Sequence, residues 1–562
     1  MEKIWFKNYP KGNLKEINPD IFPSLNDMFL ATLHEFPDRP AVSNLGSTYT
    51  YAQINKKIEH FAAFLQQKLG LKKGDRFALM MPNILQYYIA IFAAFRVGLI
   101  IVNVNPLYTK RELAHQVMDA QVKGILVLEN FAKTVSEAIK EYPIEHVIIT
   151  QLGDEFAWPK SRLVNVVVKK IKKMVPAYSL PEFIWYKKAM SEGKKLTLSP
   201  VVITGSDLAF LQYTGGTTGI PKGAMLTHRN MVANTEQAYQ WMISKVNRGC
   251  EIVITPLPLY HIFSLLANCL VFTRAASLNV LITNPRDVKA FARELKRFPF
   301  TAITAVNTLF NAMVNLPVFS KVNFSTMKVA LGGGMAVHPA VAEKWKQLTG
   351  HPICEAYGLT ETSPAVTINP PSVSSFNSSI GLPIASTDVK IIDDEGNELP
   401  INQAGELCIK GPQVMQGYWN RADETKQVLS NDGWLKTGDI AKIDEGGFVY
   451  IVDRKKDMVD VSGFNVYPNE IEEILTKHPG ILEAAVIGVP SSSTGEALKA
   501  YIVRKDPHLT EVEIKTFCKQ YLTGYKVPKL YEFRDELPKS NVGKILRMKL
   551  REEVIDGKDL AK

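Results

Sequence analysis

Two long stretches of this chain alternate the same two textures, and no other feature constrains its fold as strongly. From Leu25 to about Ile149, helix-spaced segments such as Tyr51 to Leu69 alternate with short apolar runs such as Phe77 to Met81, which is stopped by Pro82 and Asn83. From about Ser206 the alternation resumes with the strand-like runs Leu208 to Tyr213, Phe300 to Val306 and Met327 to Leu331. Runs this apolar suit strands covered on both faces, so both stretches read as α/β layers. The chain has 562 residues, more than the roughly 250 to 300 at which one core stops growing, so several packed units are expected.

After about Gly381 the texture changes. Strand signals at Val389 to Ile392 and Glu406 to Ile409 are separated by turns at Asp393 to Asn397 and Gly411 to Pro412, as in a small β unit. The acidic turns Asp393 to Glu398 and Asp444 to Gly447 lack the alternating ligand spacing and closing glutamate of a calcium loop, so they read as hairpin turns. The charged run Asp453, Arg454, Lys455, Lys456, Asp457 then precedes a self-contained pattern. Its members are a helix over Pro468 to His478, strands over Ala484 to Val489 and Ala500 to Arg504, and a helix over Glu511 to Leu522. The expected division is a large N-terminal domain, 1–455, made of two α/β subdomains and the β unit, followed by a small α+β C-terminal domain, 456–562.

Five scattered cysteines without a metal or redox spacing fit a reducing compartment. The opening residues have no apolar core with a small-residue cleavage site, so a cytoplasmic location is expected. The apolar stretch Tyr87 to Val104 carries Arg96 in its middle, where a charge in a bilayer costs about 2.5–3.5 kcal/mol, and it reads instead as a buried helix followed by a strand at Ile100 to Val102. The net charge of +10 suits anionic partners: nucleotides, a lipid surface or nucleic acid. No aromatic and arginine-rich signature or nucleic-acid-binding motif accompanies it, so no nucleic-acid partner is expected. A Gly-x-Ser-x-Gly elbow and a histidine pair at i, i+4 are both missing, which disfavours serine-hydrolase and zinc chemistry.

The strongest local signal is Tyr213, Thr214, Gly215, Gly216, Thr217, Thr218, Gly219, Ile220, Pro221, Lys222, Gly223. Its glycines let backbone amides turn toward an anion, its threonines add hydroxyl donors, and Lys222 adds a charge, so the loop is suited to phosphate. It is not the common P-loop, because Lys222 is followed by Gly223 and the next helix is expected only after Thr227 as N-cap.

With this loop the sequence resembles the adenylate-forming superfamily. The resemblance extends in order and spacing through Pro256 to Phe263, Gly332 to Met335, Tyr357 to Glu361, Gly433 to Asp439, Tyr450 to Lys456 and Pro538 to Arg547. Within that superfamily it is most similar to the bacterial long-chain fatty-acid CoA ligases, through Asn230 to Asn234, Phe300 to Phe310, Ser462 to Glu470 and Leu522 to Arg547. The resemblance implies ATP-dependent conversion of a fatty acid to an acyl-adenylate, then transfer to coenzyme A, with ATP, Mg2+ and coenzyme A as the small molecules involved. It also implies a large N-terminal domain and a small mobile C-terminal one, and admits a homodimer.

Roles follow by resemblance. Lys544 becomes the adenylation lysine bridging carboxylate and α-phosphate, although a lysine in a basic tail is ordinarily just solvated. Glu361 becomes the magnesium-associated carboxylate, with Gly358 and Thr360 beside it in the nucleotide site. Gly333, Gly334 and Tyr357 would line the adenine, Asp439 would accept from the ribose hydroxyls, and Arg454 would assist. His261 is placed near the acyl carboxylate, the alternative being a packed histidine. Lys456 matches the hinge about which the C-terminal domain turns for the second half-reaction, bringing Ser462, Gly463 and Phe464 in to line the coenzyme A tunnel. Asp460 departs from the apolar or basic residue more common there.

Val164, Val167, Val168, Ile171 and Val175 fall at helical spacing beside Lys169, Lys170, Lys172 and Lys173, as in an interfacial helix or an ordinary amphipathic surface one. Contact with the inner membrane surface is an expectation on the first reading. Two rival functions stand beside the ligase: an adenylating enzyme with another acceptor, and a basic nucleotide-binding protein without catalysis.

Overall fold

The computed structural model describes residues 3–214, 221–462, 464–491, 494–540 and 543–555. Its architecture is mixed α/β, with two large sheets, a small antiparallel sheet and a C-terminal α+β unit. The first large sheet has seven strands, in the order Ile184–Trp185, His146–Thr150, Gly124–Leu128, Arg76–Met80, Ile100–Asn103, Leu208–Thr214, Lys222–Thr227. All neighbours in it are parallel except the last pair, where Lys222–Thr227 returns antiparallel along Leu208–Thr214. The second has nine strands with a parallel centre, Pro40–Asn44, Leu278–Leu281, Ile252–Thr255, Ala302–Ala305, Val329–Gly332 and Cys354–Gly358, and antiparallel additions at both ends.

The apolar stretch around Arg96 is a helix, Leu85–Val97, followed by the strand Ile100–Asn103. The helix is buried on nearly every side because it touches strands of both large sheets, which is why it lacks the polar face of a surface helix. Arg96 emerges at its end and bonds Asn26, Asn55 and Glu59. Among the described residues no helix is long and apolar enough to cross a membrane.

The helix His228–Met242 begins where the sequence places it, Thr227 and Asn230 forming a reciprocal capping box. Its buried amides act as pins. Asn234 exchanges two hydrogen bonds of 2.8 Å with the backbone of Ala365, and Asn230 donates to Pro412 O and Val414 O at 2.8 and 2.9 Å. The helix thereby ties the end of the nine-stranded sheet to the small sheet Asp388–Ile392, Gly405–Lys410, Leu435–Ile443, Val449–Arg454.

The last unit has five strands, Val459–Val461, Phe464–Val466, Ile481–Ser491, Gly495–Arg504 and Leu530–Arg534. The helices Pro468–Lys477, Glu511–Tyr521 and Arg547–Ile555 complete it, and its buried apolar side chains fall into two clusters.

Candidate active site

A cleft of about 1610 Å3 lies where the carboxyl ends of the parallel strands meet the small sheet and the C-terminal unit. Such crevices are where open α/β sheets take ligands, because strand ends and loops expose backbone groups there. Tyr213, Thr214 and Lys222, the described ends of the glycine-rich loop, are on its wall. Gly215, Gly216, Thr217, Thr218 and Gly219 lie outside the described residues. Gly334, Tyr357, Gly358, Thr360 and Glu361 form a second wall, and Asp439, Arg454, Lys456, His261 and Lys544 close the cleft.

Gly333 is not on the wall: its α-carbon faces the Phe263 ring, which would stand 3.0 Å from an added β-carbon. Gly358 has a backbone reason for its identity, since a β-carbon there would meet Pro364 O at 1.8 Å.

Asp439 and Arg454 are Cα partners across the hairpin of the small sheet, so strand register alone brings them together. Arg454 Nε lies 3.3 Å from Asp439 Oδ1, and the hydroxyl of Tyr357 donates to Oδ2 at 2.6 Å. Burial and the Asp439 carboxylate hold the Tyr357 phenol well above its ordinary range, so it remains a donor.

Lys544 reaches the same cleft from a tight loop in which Ser540 N donates to Lys544 O and Lys544 N to Ser540 Oγ, at 2.7 and 3.1 Å. Gly543 allows this turn with φ of +83°, packed so closely on Thr308 that a β-carbon would fall 2.5 Å from its hydroxyl. Burial and the neighbouring Arg454 lower the Lys544 ammonium to about 8. Burial, with Lys544 adding repulsion, lowers His261 to about 4, so its imidazole is neutral near pH 7. His261 Nδ1 accepts from Phe263 N at 3.4 Å, capping the short helix Ile262–Ser264.

At the phosphate-loop end, Lys222 forms an ion pair with Glu424 and stands 5.2 Å over the ring of Tyr418. The Tyr418 hydroxyl donates to Glu361 Oε1 at 2.7 Å, so one tyrosine joins the loop lysine to the candidate metal carboxylate. Tyr213 is anchored outward, its hydroxyl donating to Asp119 at 2.6 Å, and Asp119 also accepts from Arg421 at 3.0 Å.

Beside His261 the cleft continues as an apolar arm between Ala238 and Met242 on one helix and Leu266, Ala267 and Val271 on the next. Elsewhere on the cleft wall Glu355 is buried and accepts from Val337 N at 3.0 Å; burial lifts its carboxyl to about 8, leaving it largely protonated at neutral pH.

The described candidate tunnel residues, Ser462 and Phe464, are not in this cleft. Phe464 is exposed and stacked on Tyr525 at 4.7 Å, and Ser462 sits in the preceding turn at φ +57°. Gly463 lies outside the described residues. Conversely, sequence reasoning missed Tyr418, Glu355 and Arg547, which line the cleft. The only signal for Tyr418 was its place in Gly417-Tyr418-Trp419-Asn420, a turn-like string of no clear chemistry.

The chain is similar over nearly its whole length to known proteins. A family model described as AMP-binding enzyme matches residues 29–419, and one described as AMP-binding enzyme C-terminal domain matches 470–544. A long-chain-fatty-acid–CoA ligase of Escherichia coli O6:H1 is 54% identical over 98% of both chains. The crystal structure of ATP-bound MatB from Rhodopseudomonas palustris superposes with a TM-score of 0.78 at 26% identity, covering 96% of this chain and all of that one. The anthranilate CoA ligase AuaEII with anthranoyl-AMP has the same fold, with a TM-score of 0.85, 23% identity and the same two coverages.

Proposed function

Because the chain belongs to the family of AMP-binding enzymes, we propose that it activates a long-chain fatty acid with ATP and passes the acyl group to coenzyme A. The observation that carries this is the apolar arm opening beside His261 and Lys544 in a cleft whose other walls suit a nucleotide.

In the first half-reaction a carboxylate oxygen attacks the α-phosphorus, forming the acyl-phosphate bond while the bond to pyrophosphate breaks. Two anions must approach, and the Lys544 ammonium is the cation offered between them. On this reading Tyr357 and Gly334 flank the adenine, Asp439 with Arg454 takes the ribose, and the loop ending in Lys222 takes the outer phosphates. His261 presents a neutral imidazole to the carboxylate end of the acid. The donor set fits magnesium, which keeps several waters and needs few protein oxygens: Tyr418 engages one oxygen of Glu361, and the other is the one a hydrated ion would take. The metal supplies charge neutralisation on the phosphates.

In the second half-reaction the thiol sulfur attacks the acyl carbonyl carbon and AMP leaves. We take residues 1–455 and 456–562 as the two domains and Lys456 as their hinge, about which Lys544 would withdraw and the segment of Ser462, Gly463 and Phe464 would approach. A long-chain acid partitions into bilayers, so this reading carries with it peripheral contact with the inner membrane surface.

The test is incubation with ATP, magnesium and palmitate, with and without coenzyme A, beside Lys544→Ala. Palmitoyl-CoA and AMP from the wild type, with adenylation lost in the variant, is the expected result. Adenylate without thioester would make coenzyme A the wrong acceptor. No product across a range of acids would favour a nucleotide-binding protein without catalysis.

A further inference from the structure

Two buried side-chain amides stand at the edge of the cleft where a parallel sheet would ordinarily carry apolar residues. Asn103 ends the strand Ile100–Asn103, and Gln212 lies near the end of its neighbour Leu208–Thr214. Ile101 faces Phe210 and Val102 faces Leu211 across this parallel pair, so the next position brings Asn103 beside Gln212. The two are 4% and 5% exposed, and amides so buried cost stability unless their donors and acceptors are matched. None of the roles assigned above uses either of them.

Their match is the loop that carries His261. Asn103 Nδ2 donates to Gln212 Oε1 at 2.9 Å, which turns the Gln212 amide so that Nε2 donates to Tyr260 O at 2.9 Å. Tyr87, fully buried, places its hydroxyl 2.7 Å from Asn103 Oδ1 and 2.8 Å from Leu259 O. A third amide, Asn83, accepts from Leu259 N at 2.8 Å and donates to Leu257 O at 2.8 Å and Thr255 O at 2.9 Å. The segment from Thr255 to His261 continues from a strand of the second large sheet, but these four side chains come from the first.

Gln212 is also the residue next to the start of the glycine-rich loop. Side chains alternate between the faces of a strand, so Tyr213 and Gln212 point opposite ways. Tyr213 packs with Leu211 and bonds Asp119, whereas Gln212 turns to the His261 loop. One strand end therefore fixes both the phosphate loop and the loop beside the acid. Adenylation needs that separation held, because reacting atoms must be brought to about 3–3.5 Å in a defined line.

We propose that Gln212, oriented by Asn103 and Tyr87, is a positioning residue that sets His261 at a fixed distance from the phosphate loop, so that the acid's carboxylate meets the α-phosphorus in line. This rests on the reading of the protein as an adenylating enzyme with His261 at the carboxylate.

The test is palmitate-dependent pyrophosphate exchange by the full-length protein and by Gln212→Met, Tyr87→Phe, His261→Ala and the double variant Gln212→Met, His261→Ala. Methionine keeps the length of glutamine and removes both bonds. Gln212→Met should lower kcat by about ten- to a hundredfold, and Tyr87→Phe by about threefold or more. Binding of α,β-methylene-ATP should stay within about twofold, because the pairing of Gln212 with Ala224 and the Tyr213–Asp119 bond still hold the start of the loop. In the His261→Ala background Gln212→Met should cost less than about a further twofold, whereas a merely structural role would add its full cost there. Full additivity, wild-type kcat in both Gln212→Met and Tyr87→Phe, or a His261→Ala variant with undiminished exchange would each overturn this inference alone. A wild type that exchanges pyrophosphate with no acid would overturn the adenylation reading and this inference with it. Should Gln212→Met fail to fold, Tyr87→Phe, which removes a single oxygen, decides by the same comparison with and without His261.

Discussion

Burial and the nearby Arg454 both act against the charge on Lys544, and in the role proposed for it this would make the first half-reaction sensitive to mildly alkaline pH. A base whose value is lowered keeps its proton below that value, so the cation is present below about pH 8 and lost above it. The kcat/KM for ATP in pyrophosphate exchange should therefore fall as pH rises through about 8, while kcat, measured with the phosphates bound beside the amine, should fall at higher pH. Lys544→Ala should lower exchange by about 10^2- to 10^3-fold, the range for removing a charge-stabilising group. Tyr418→Phe keeps a ring beneath Lys222 but removes the donor to Glu361, a bond to a charged group worth about 1.5–3 kcal/mol. It should raise the Mn2+ concentration for half-saturation of the enzyme–nucleotide complex by about tenfold or more, read by electron paramagnetic resonance.

Two elements of the C-terminal unit are locked by one side chain. Arg547, at the start of the last helix, reaches Glu472 at 2.7 Å and Asp457 at 3.1 Å, bonds Asn469, and lies 3.8 Å from the fully buried Asp453. Arg547→Met would leave Glu472 and the buried Asp453 without its cation, with Arg551 still on Asp457 at 2.9 Å, at a cost of about 3–5 kcal/mol, measurable by urea unfolding. The acids respond to pH in opposite senses. Burial opposes ionisation of Asp457, but Arg547 and Arg551 outweigh it and lower its value, so its contribution is present above the unfolded carboxylate range and lost as pH falls below it. Burial raises Asp453 to about 6 in spite of Arg547. Ionised Asp453 costs stability at neutral pH, and that cost is relieved as pH falls through about 6. Urea midpoints should thus rise slightly from pH 7 to 5 and decline below about 4.

At the scale of the whole molecule, Lys544 lies in the cleft while Phe464 stands outside it, the arrangement that the proposed roles would require for the first half-reaction. If the chain must turn about Lys456 for the second, fixing its φ should separate the two. Lys456→Pro is expected to retain pyrophosphate exchange within a few-fold and to lose thioester formation by at least tenfold, read by single-turnover assays of each step.

What the sequence settled by itself is what local patterns can carry. Apolar runs marked the buried strands at Val329–Gly332 and Ala302–Ala305, and Thr227 as an N-cap marked a helix start. Several of the motifs contain described residues that line one cleft, among them Tyr357, Glu361, Asp439, Arg454 and Lys544. Tertiary structure alone decided the rest. Tyr418 meets Glu361 from 57 residues away, and Tyr357 meets Asp439 from 82 away. Leu163 and Ile171 face outward while the half-buried Val164 packs against the core. Gly333, expected on the adenine wall, turns to Phe263 instead. The physical reason is common to all four. Periodicity and capping act within a turn or two of chain, whereas the partner of a side chain is chosen by how sheets and helices pack, and that choice leaves no periodic trace in the sequence.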